Sequence, residues 1–315
     1  MSSRRSPTTL ARRASGSPRC GRRDGANRAM ERRTPGVSPM NCPRRQLVRA
    51  LPLLILAACL AVLGGCERPS PTSAQREDRL VVFAAASLRD VFTALGEDFK
   101  RSYPGVEVTF NFAGTQELRT QLEHGAAADV FASADQRHMD ELVKSQRAAG
   151  PVVFARNEPV LVVASESAAT VRGLADLPAA TRIVIGTPEV PIGRYTLQIL
   201  DRASASLGAD FRARVESKVV SREPNVRQVL AKVRLGEAQA GVVYRTDAQA
   251  AQDGVVVVAI PPEVNVLAEY PIAVVSGAAH PGLARAWVDL VTSEAGRTAL
   301  WRAGFLVPSG GGAPR

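Results

Sequence analysis

The sequence predicts an α/β protein with two lobes, each a mainly parallel sheet flanked by helices, with the ligand in the cleft between the lobes. Short apolar or β-branched runs alternate with amphipathic helical segments from about residue 79 onward. Such alternation is typical of parallel sheets with helices on both faces. It continues for about 230 residues, which suggests two lobes rather than one. No repeat of fixed period is visible, which argues against a solenoid.

The N-terminal half of the alternation begins with a short buried strand, LVVF at 80–83. Ser87 then opens a predicted helix, and Asp90, three residues later, makes this start resemble a capping box. The apolar residues of that helix share one face: Leu88, Val91, Phe92, Leu95 and Phe99. The elements predicted after it are strand 106–112, a helix opened by Gly114 and Thr115, strand 129–132 and a helix through Met139, Leu142 and Val143.

The C-terminal half starts with a β-branched strand at 159–163. The further predicted strands are 183–186, 241–244, 255–260 and 270–275, with helices from Ile192 and Val226 and around Trp287 and Trp301. Ligands of parallel sheets bind beyond the carboxyl ends of the strands, where helices begin. The helix starts are therefore the candidate functional positions.

The net charge of the chain is concentrated at one end. The whole chain carries +10, but residues 1–65 contain 13 Arg, no Lys and two acidic residues. Of the 40 basic and 30 acidic residues, 27 and 28 remain for residues 66–315, so this part gives no charge-based case for nucleic acid. All four cysteines lie in the first 66 residues, so the rest can form neither a disulfide nor a thiolate metal site.

The leader reads as a lipoprotein signal peptide. Residues 51–63 form an apolar run of 13 residues, short for a membrane span but typical of a signal-peptide core. Basic residues precede it, and LGGC at 63–66 follows it and resembles a bacterial lipobox. That resemblance implies cleavage before Cys66 and lipid attachment to its thiol. The alternative is a buried helix that ends in Gly-Gly-Cys.

Four helix starts, at Ser87, Thr115, Ile192 and Val226, are candidates for an anion site. A helix start presents unpaired N–H groups and the positive end of a dipole, so several starts aimed at one point bind an anion without formal positive charge. Ser87 and Thr115 add hydroxyl donors, and Tyr244 adds a phenol at the end of a strand. The alternatives are ordinary N-caps at Ser87 and Thr115, a half-buried structural tyrosine, and core or surface roles for the other two.

Five segments resemble the periplasmic molybdate-binding proteins of ABC transporters, within the type II periplasmic binding protein fold. They are VVFAAASLRDVF (81–92), FNFAGTQELRTQLEHGAAADVFASAD (110–135), VIGTPEVPIGRYTLQIL (184–200), GVVYRTDA (241–248) and EYPIAVV (269–275). The resemblance covers about residues 80–305. It implies a two-lobed clamp that closes on a tetrahedral oxyanion held by neutral donors only: the Ser87 and Thr115 hydroxyls, the backbone N–H groups of Ile192 and Val226, and Tyr244.

Two positions depart from the family's pattern. Gly114-Thr115 replaces a serine pair, so the hydroxyl donor is β-branched and stiffer. Ile192 is bulkier than the small residue usual there. Arg119 and Arg194 lie near two helix starts, and we interpret both as solvated helix residues; contact of either with the ligand would change the ligand choice.

The predicted function is an extracytoplasmic receptor that delivers molybdate or tungstate to an ABC importer. Its expected partners are the permease with its ATPase, and the membrane through Cys66. No cofactor, metal cation or nucleic acid is expected, and the protein is expected to be a monomer in the cell envelope or periplasm. The expected domains are a disordered leader or mis-assigned start (1–39), signal peptide (40–65), tether (66–78), lobe 1 (79–153 with 269–315) and lobe 2 (154–268).

Three other functions remain open. Asp129, Asp135 and His138 could form the carboxylate and imidazole set of an enzyme such as a hydrolase, although Asp135 and His138 also suit a helix N-terminus. No nucleophile-elbow, zinc-protease or P-loop motif accompanies them. The same fold with another ligand (sulfate, phosphate, an iron complex or a small organic anion) is the second alternative. A purely structural envelope lipoprotein is the third.

Overall fold

The computed structural model describes residues 78–251 and 253–308. The expected leader, the signal peptide, Cys66, all of the tether but its last residue, and the tail at 309–315 lie outside the described residues. Within the described part, no helix combines the length and the apolar character that a membrane crossing requires.

Ten strands and nine α-helices follow one another along the described residues. The strands are β1 (Asp78–Ala85), β2 (Val106–Ala113), β3 (Val130–Ala132), β4 (Ala148–Asn157), β5 (Pro159–Ala164), β6 (Ile183–Gly186), β7 (Val219–Glu223), β8 (Ala240–Tyr244), β9 (Val255–Ala259) and β10 (Ala268–Val275). The helices are α1 (Arg89–Ser102), α2 (Thr115–Glu123), α3 (Gln136–Lys144), α4 (Pro191–Leu207), α5 (Phe211–Glu216), α6 (Val226–Arg234), α7 (Arg245–Ala250), α8 (Pro281–Thr292) and α9 (Glu294–Arg302). Short 3-10 turns occupy Ala86–Leu88, Ser165–Ser167 and Leu174–Ala179.

The strands form two five-stranded sheets, which confirms the predicted two-sheet α/β fold. The first sheet has the order β2-β1-β3-β10-β4, and the second has the order β7-β6-β8-β5-β9. Both sheets are mixed, because β10 and β5 are antiparallel to their neighbours while the other pairs are parallel. The chain reaches each of these two strands directly from the other sheet. A parallel strand needs a crossover connection within its own sheet, and these two strands have none before them.

The two connections between the sheets run side by side. β4 ends at Asn157 and β5 begins at Pro159, so one residue separates the two sheets there. Asn157 pairs with Ala268, the first residue of β10 on the return connection. The expected lobe boundaries stay a prediction; in the structure β4 is still paired with β10 at Asn157, beyond the expected end of lobe 1 at residue 153.

The core of the first sheet is built around Trp287 of α8. This side chain is fully buried and makes edge-to-face contacts with Phe92, Phe99 and Phe110, at 5.4, 5.5 and 5.5 Å between ring centroids. Phe92 and Phe99 lie on the apolar face of α1 that the sequence predicts, and both are buried. The C-terminal helices therefore pack on the sheet that the N-terminal strands form.

Replacement of Trp287 tests this packing. We expect Trp287→Ala to lower the free energy of unfolding by about 3–5 kcal/mol, because it removes a large buried ring and leaves a cavity. Trp301→Ala is the matched control, since that side chain is 58% exposed, and we expect a change within about 0.5 kcal/mol. Urea denaturation measures both; equal losses would contradict the assignment of Trp287 to the core.

Candidate functional site

One cavity between the two sheets brings together all five residues that the sequence indicated. Ser87, Thr115, Ile192, Val226 and Tyr244 all line the same small cavity. The other lining residues are Ala85, Ala86, Ala113, Gly114, Ala134, Val190, Pro191 and Asn225. None of these lining side chains carries a formal charge, so any anion held here is held by neutral groups.

The cavity lies beyond the carboxyl ends of the parallel strands, where the topology places the helix starts. In the first sheet, β1 leads into the 3-10 turn that holds Ser87, and β2 leads into α2 at Thr115. In the second sheet, β6 leads to Ile192 near the start of α4, and β7 leads to Val226 at the start of α6. Each sheet thus contributes two helix starts to one space.

The backbone N–H groups of Ile192 and Val226 lie in first turns, where no carbonyl of the same helix can accept them. Pro191, the first residue of α4, has no N–H, so Ile192 carries the first donor of that helix. Asn225 caps α6 by accepting the Gln228 N–H at 3.1 Å. The cap therefore does not satisfy the Val226 N–H. Both residues are buried, so a buried acceptor is needed for these two donors.

Ser87 is not a helix cap, and the predicted capping box is wrong. The residue lies inside the 3-10 turn, α1 begins two residues later, and neither start has a side-chain cap. The Ser87 hydroxyl instead lies 2.9 Å from the Tyr270 hydroxyl, and both residues are buried. The reason is the tight turn after β1, which directs the side chain toward the cavity rather than back to the helix N–H groups.

Thr115 is not a cap either, since Gly114 holds the N-cap position of α2 and makes no side-chain bond. The Thr115 hydroxyl oxygen accepts the Ala134 N–H at 3.1 Å. This bond fixes the oxygen at the cavity wall. The hydroxyl proton has no acceptor in the hydrogen bonds of the described residues, which leaves it to a group in the cavity.

Tyr244 is fully buried rather than half-buried, with 1% exposure. Its hydroxyl has no hydrogen-bond partner among the described residues. Burial raises the pKa of Tyr244 well above its usual value, so the phenol keeps its proton and acts as a donor. A buried hydroxyl without a partner costs about 1–3 kcal/mol, and a ligand oxygen in the cavity would remove that cost.

The two arginines near the helix starts are partly exposed, and neither lines the cavity. Arg194 donates to Asp135 at 2.9 Å, and Arg119 pairs with Glu123 at 2.8 Å; both arginine side chains are only about a quarter exposed. The Arg194–Asp135 pair joins α4 of the second sheet to the start of α3 in the first.

A third arginine, which the sequence did not indicate, makes a second pairing across the cleft. Arg227 follows Val226 directly and contacts Asp90 at 2.5 Å and Asp247 at 2.6 Å. Asp247 has no exposed side-chain surface, and burial raises its pKa to about 6. The arginines beside the cavity are therefore compensated by carboxylates and do not present free positive charge to it.

The residues of the possible enzyme site have structural roles. Asp135 caps α3, accepting the backbone N–H of His138 at 3.0 Å, and its carboxylate lies 2.8 Å from the His138 ring. Asp129 lies before β3, at the opposite end of that strand from Asp135, and accepts the backbone N–H groups of Val81 and His280 at 2.8 and 2.9 Å. The strand between them keeps the two carboxylates apart, so the structure does not bring Asp129 together with Asp135 and His138.

Gly114 marks a close approach between the two sheets that the sequence did not reveal. A Cβ at this position would lie 2.2 Å from the carbonyl oxygen of Pro224, and Gln116 donates to the same oxygen at 2.8 Å. A residue with a side chain would therefore clash with the Pro224 carbonyl at this position. Tyr270 is the other residue missed; it lies in the segment 269–275, which carried the resemblance without an assigned role.

Nearly all of the described residues match known proteins. Residues 80–306 match the family described as "Bacterial extracellular solute-binding protein". The molybdate-binding protein of Mycobacterium tuberculosis (strain H37Rv) is 42% identical over 262 residues, which cover 81% of this chain and 97% of that protein.

Solved structures show the same fold. The periplasmic molybdate-binding protein of Azotobacter vinelandii matches with a TM-score of 0.63 and 20% identity, over 73% of this chain and all of that one. The sulfate-binding protein SubI of Mycobacterium tuberculosis matches with a TM-score of 0.66 and 20% identity, over 72% of this chain and 86% of that one. The same fold therefore occurs in one protein named for molybdate and in another named for sulfate.

The charged pair between Asp135 and Arg194 can be tested through pH. Burial raises the pKa of Asp135, but hydrogen bonds from His138 and Arg194 outweigh it and hold the pKa below its usual value. Because the folded pKa is depressed, the stabilisation is fully present above the unfolded pKa of about 4. It shrinks below that pH and is lost as the pH falls through the lower, folded pKa.

We therefore expect Asp135→Asn to lower the free energy of unfolding by about 1.5–3 kcal/mol at neutral pH, with a gap to the wild type that narrows below about pH 4. Urea unfolding across pH measures the gap. Asp289→Asn, at an exposed position on α8, is the control and should show little effect. A gap that stays constant with pH would contradict the charged pair.

Proposed function

The chain belongs to the bacterial extracellular solute-binding protein family, and on that premise we propose that it binds molybdate or tungstate outside the cytoplasm as the receptor of an ABC importer. The observation that carries the proposal is the convergence of four helix starts and three hydroxyl groups on one uncharged cavity. The proposed ligand-binding groups are the side chains of Ser87, Thr115 and Tyr244 and the backbone N–H groups of Ile192 and Val226. The resemblance to molybdate-binding proteins supports this ligand.

The donor set suits a fully deprotonated tetrahedral dianion. Near neutral pH the oxygens of molybdate and tungstate only accept hydrogen bonds. The proposed groups of the protein all donate, so the ligand and the site match. The helix starts add the positive ends of four dipoles. No carboxylate lines the cavity, so the O–H of a protonated phosphate would find no charged acceptor there, and we expect phosphate to bind less tightly.

Sulfate is the second candidate ligand. It is also a deprotonated tetrahedral dianion, and a sulfate-binding protein shares the fold. Sulfate is smaller than molybdate, so the distance between donors on opposite walls decides between them. The 42% identity to a molybdate-binding protein favours the larger ion.

The transport partners and the membrane anchor belong to the same proposal. A solute receptor of this kind hands its ligand to a permease that carries an ATPase. The lipobox-like LGGC at 63–66 supports attachment to a membrane through Cys66, which keeps the receptor near that permease. The proposed receptor is a monomer without a cofactor, and it has no catalytic step.

Calorimetric titration tests the function directly. We expect tight 1:1 binding of molybdate and tungstate and no binding of phosphate or sulfate. Ser87→Ala and Tyr244→Phe should each weaken molybdate binding by about one to two decades, because each removes a donor worth about 1–3 kcal/mol in a dry site. Tight sulfate binding would make sulfate the ligand instead of molybdate. If none of the four ions binds, the proposal that the protein is an oxyanion receptor is wrong.

The close approach at Gly114 gives an independent test of closure. We expect Gly114→Ala to weaken molybdate binding roughly tenfold or more, because its methyl group would force the Pro224 carbonyl away and hold the lobes apart. Gly173→Ala is the matched control, since an added Cβ there has no atom within 4 Å. Unchanged affinity in Gly114→Ala would contradict a ligand site that needs this contact.

A further inference from the structure

A buried tyrosine lies directly behind the proposed ligand serine. The Tyr270 hydroxyl is 2.9 Å from the Ser87 hydroxyl oxygen, although 183 residues separate the two along the chain. Tyr270 has no exposed surface, and Ser87 lines the cavity. Tyr270 itself does not line the cavity, so it would act on a ligand only through Ser87.

The direction of this hydrogen bond determines what Ser87 can do. If Ser87 donates to Tyr270, the serine proton is used inside the protein and the buried phenol proton has no acceptor among the described residues. If Tyr270 donates to Ser87, the phenol proton is satisfied and the serine proton is free to point into the cavity. The second arrangement leaves no buried donor unpaired once a ligand oxygen is present, and unpaired buried donors are costly.

The surroundings of Tyr270 favour the second arrangement. Burial raises the pKa of Tyr270 well above its usual value, so the phenol keeps its proton. The Ser87 hydroxyl oxygen is the one hydrogen-bond partner of the Tyr270 hydroxyl among the described residues. The buried phenol proton is therefore satisfied when it points to Ser87.

We propose that Tyr270 is a positioning residue, which donates to the Ser87 oxygen and so holds the serine proton toward the bound oxyanion. This inference rests on the proposed function of the cavity. Tyr270 lies on β10, which pairs with β4 beside the connections between the sheets, so the ligand serine is oriented from the point where the two lobes join.

The phenol group can be removed with little disturbance of packing. The Tyr270 ring makes edge-to-face contacts with Phe154, Tyr244 and Phe305, at 6.4, 5.8 and 5.5 Å between centroids. Tyr270→Phe keeps the ring and these contacts and removes only the hydroxyl. The matched control is Tyr103→Phe, which removes a phenol hydroxyl from a side chain that is 40% exposed and stacks on Phe99 outside the cavity.

A double-mutant cycle on molybdate affinity tests the inference. The wild type, Ser87→Ala, Tyr270→Phe and the double variant are titrated by calorimetry in the purified protein. We expect Tyr270→Phe to weaken binding about three- to tenfold in the wild type but less than twofold in Ser87→Ala, because its effect passes through the serine hydroxyl. Tyr103→Phe should change the affinity less than twofold in either background.

The cycle separates positioning from a general structural role. A structural defect would weaken binding by the same factor in both backgrounds, and that result would overturn the inference while leaving the receptor intact. An unchanged affinity in Tyr270→Phe would overturn it as well. If the wild type binds none of molybdate, tungstate, sulfate or phosphate, the proposed function fails and the inference fails with it. If Tyr270→Phe weakens binding in the wild type but not in Ser87→Ala, the result supports both the proposed function and the inference.

Discussion

The structure depends on holding four helix starts at one point between two sheets. Unpaired N–H groups and helix dipoles bind an anion only when they converge, because each contributes about 0.3–1 kcal/mol at an exposed position and more where water is excluded. Convergence follows from topology: the carboxyl ends of β1 and β2 face those of β6 and β7 across the cavity. The two sheets therefore need contacts that fix their relative position, and the side chains around the cavity provide them.

Those contacts place positive charge beside the cavity without directing it at the ligand. Arg194 and Arg227 both project from the helix starts of the second sheet, and both pair with carboxylates of the first, Asp135 and Asp90. The ion pairs hold the helix starts together and cancel the arginine charges. A neutral cavity between compensated arginines binds by geometry, which suits discrimination among oxyanions of similar charge and different size.

The sequence predicted most of the fold and five residues that line one cavity, because both follow from local pattern. Strand and helix alternation located the helix starts, and the family resemblance selected four of them as candidates for a ligand site. Long-range contacts were beyond such reasoning: nothing local links Ser87 to Tyr270 or Gly114 to Pro224. The capping box failed because Ser87 lies in a 3-10 turn before α1 and not at the start of that helix. The antiparallel strands were also missed, since they depend on where the chain changes sheet.

The central claim is that the oxyanion sits at the convergence of these neutral donors. A crystal grown with tungstate tests it most directly, because tungsten gives a strong anomalous signal that locates the ion without assumption. The account predicts one peak in the cavity, with oxygens within about 3 Å of the Ser87, Thr115 and Tyr244 hydroxyls and of the Ile192 and Val226 N–H groups. A peak beside Arg194 or Arg227, with the cavity free of tungsten, would contradict it.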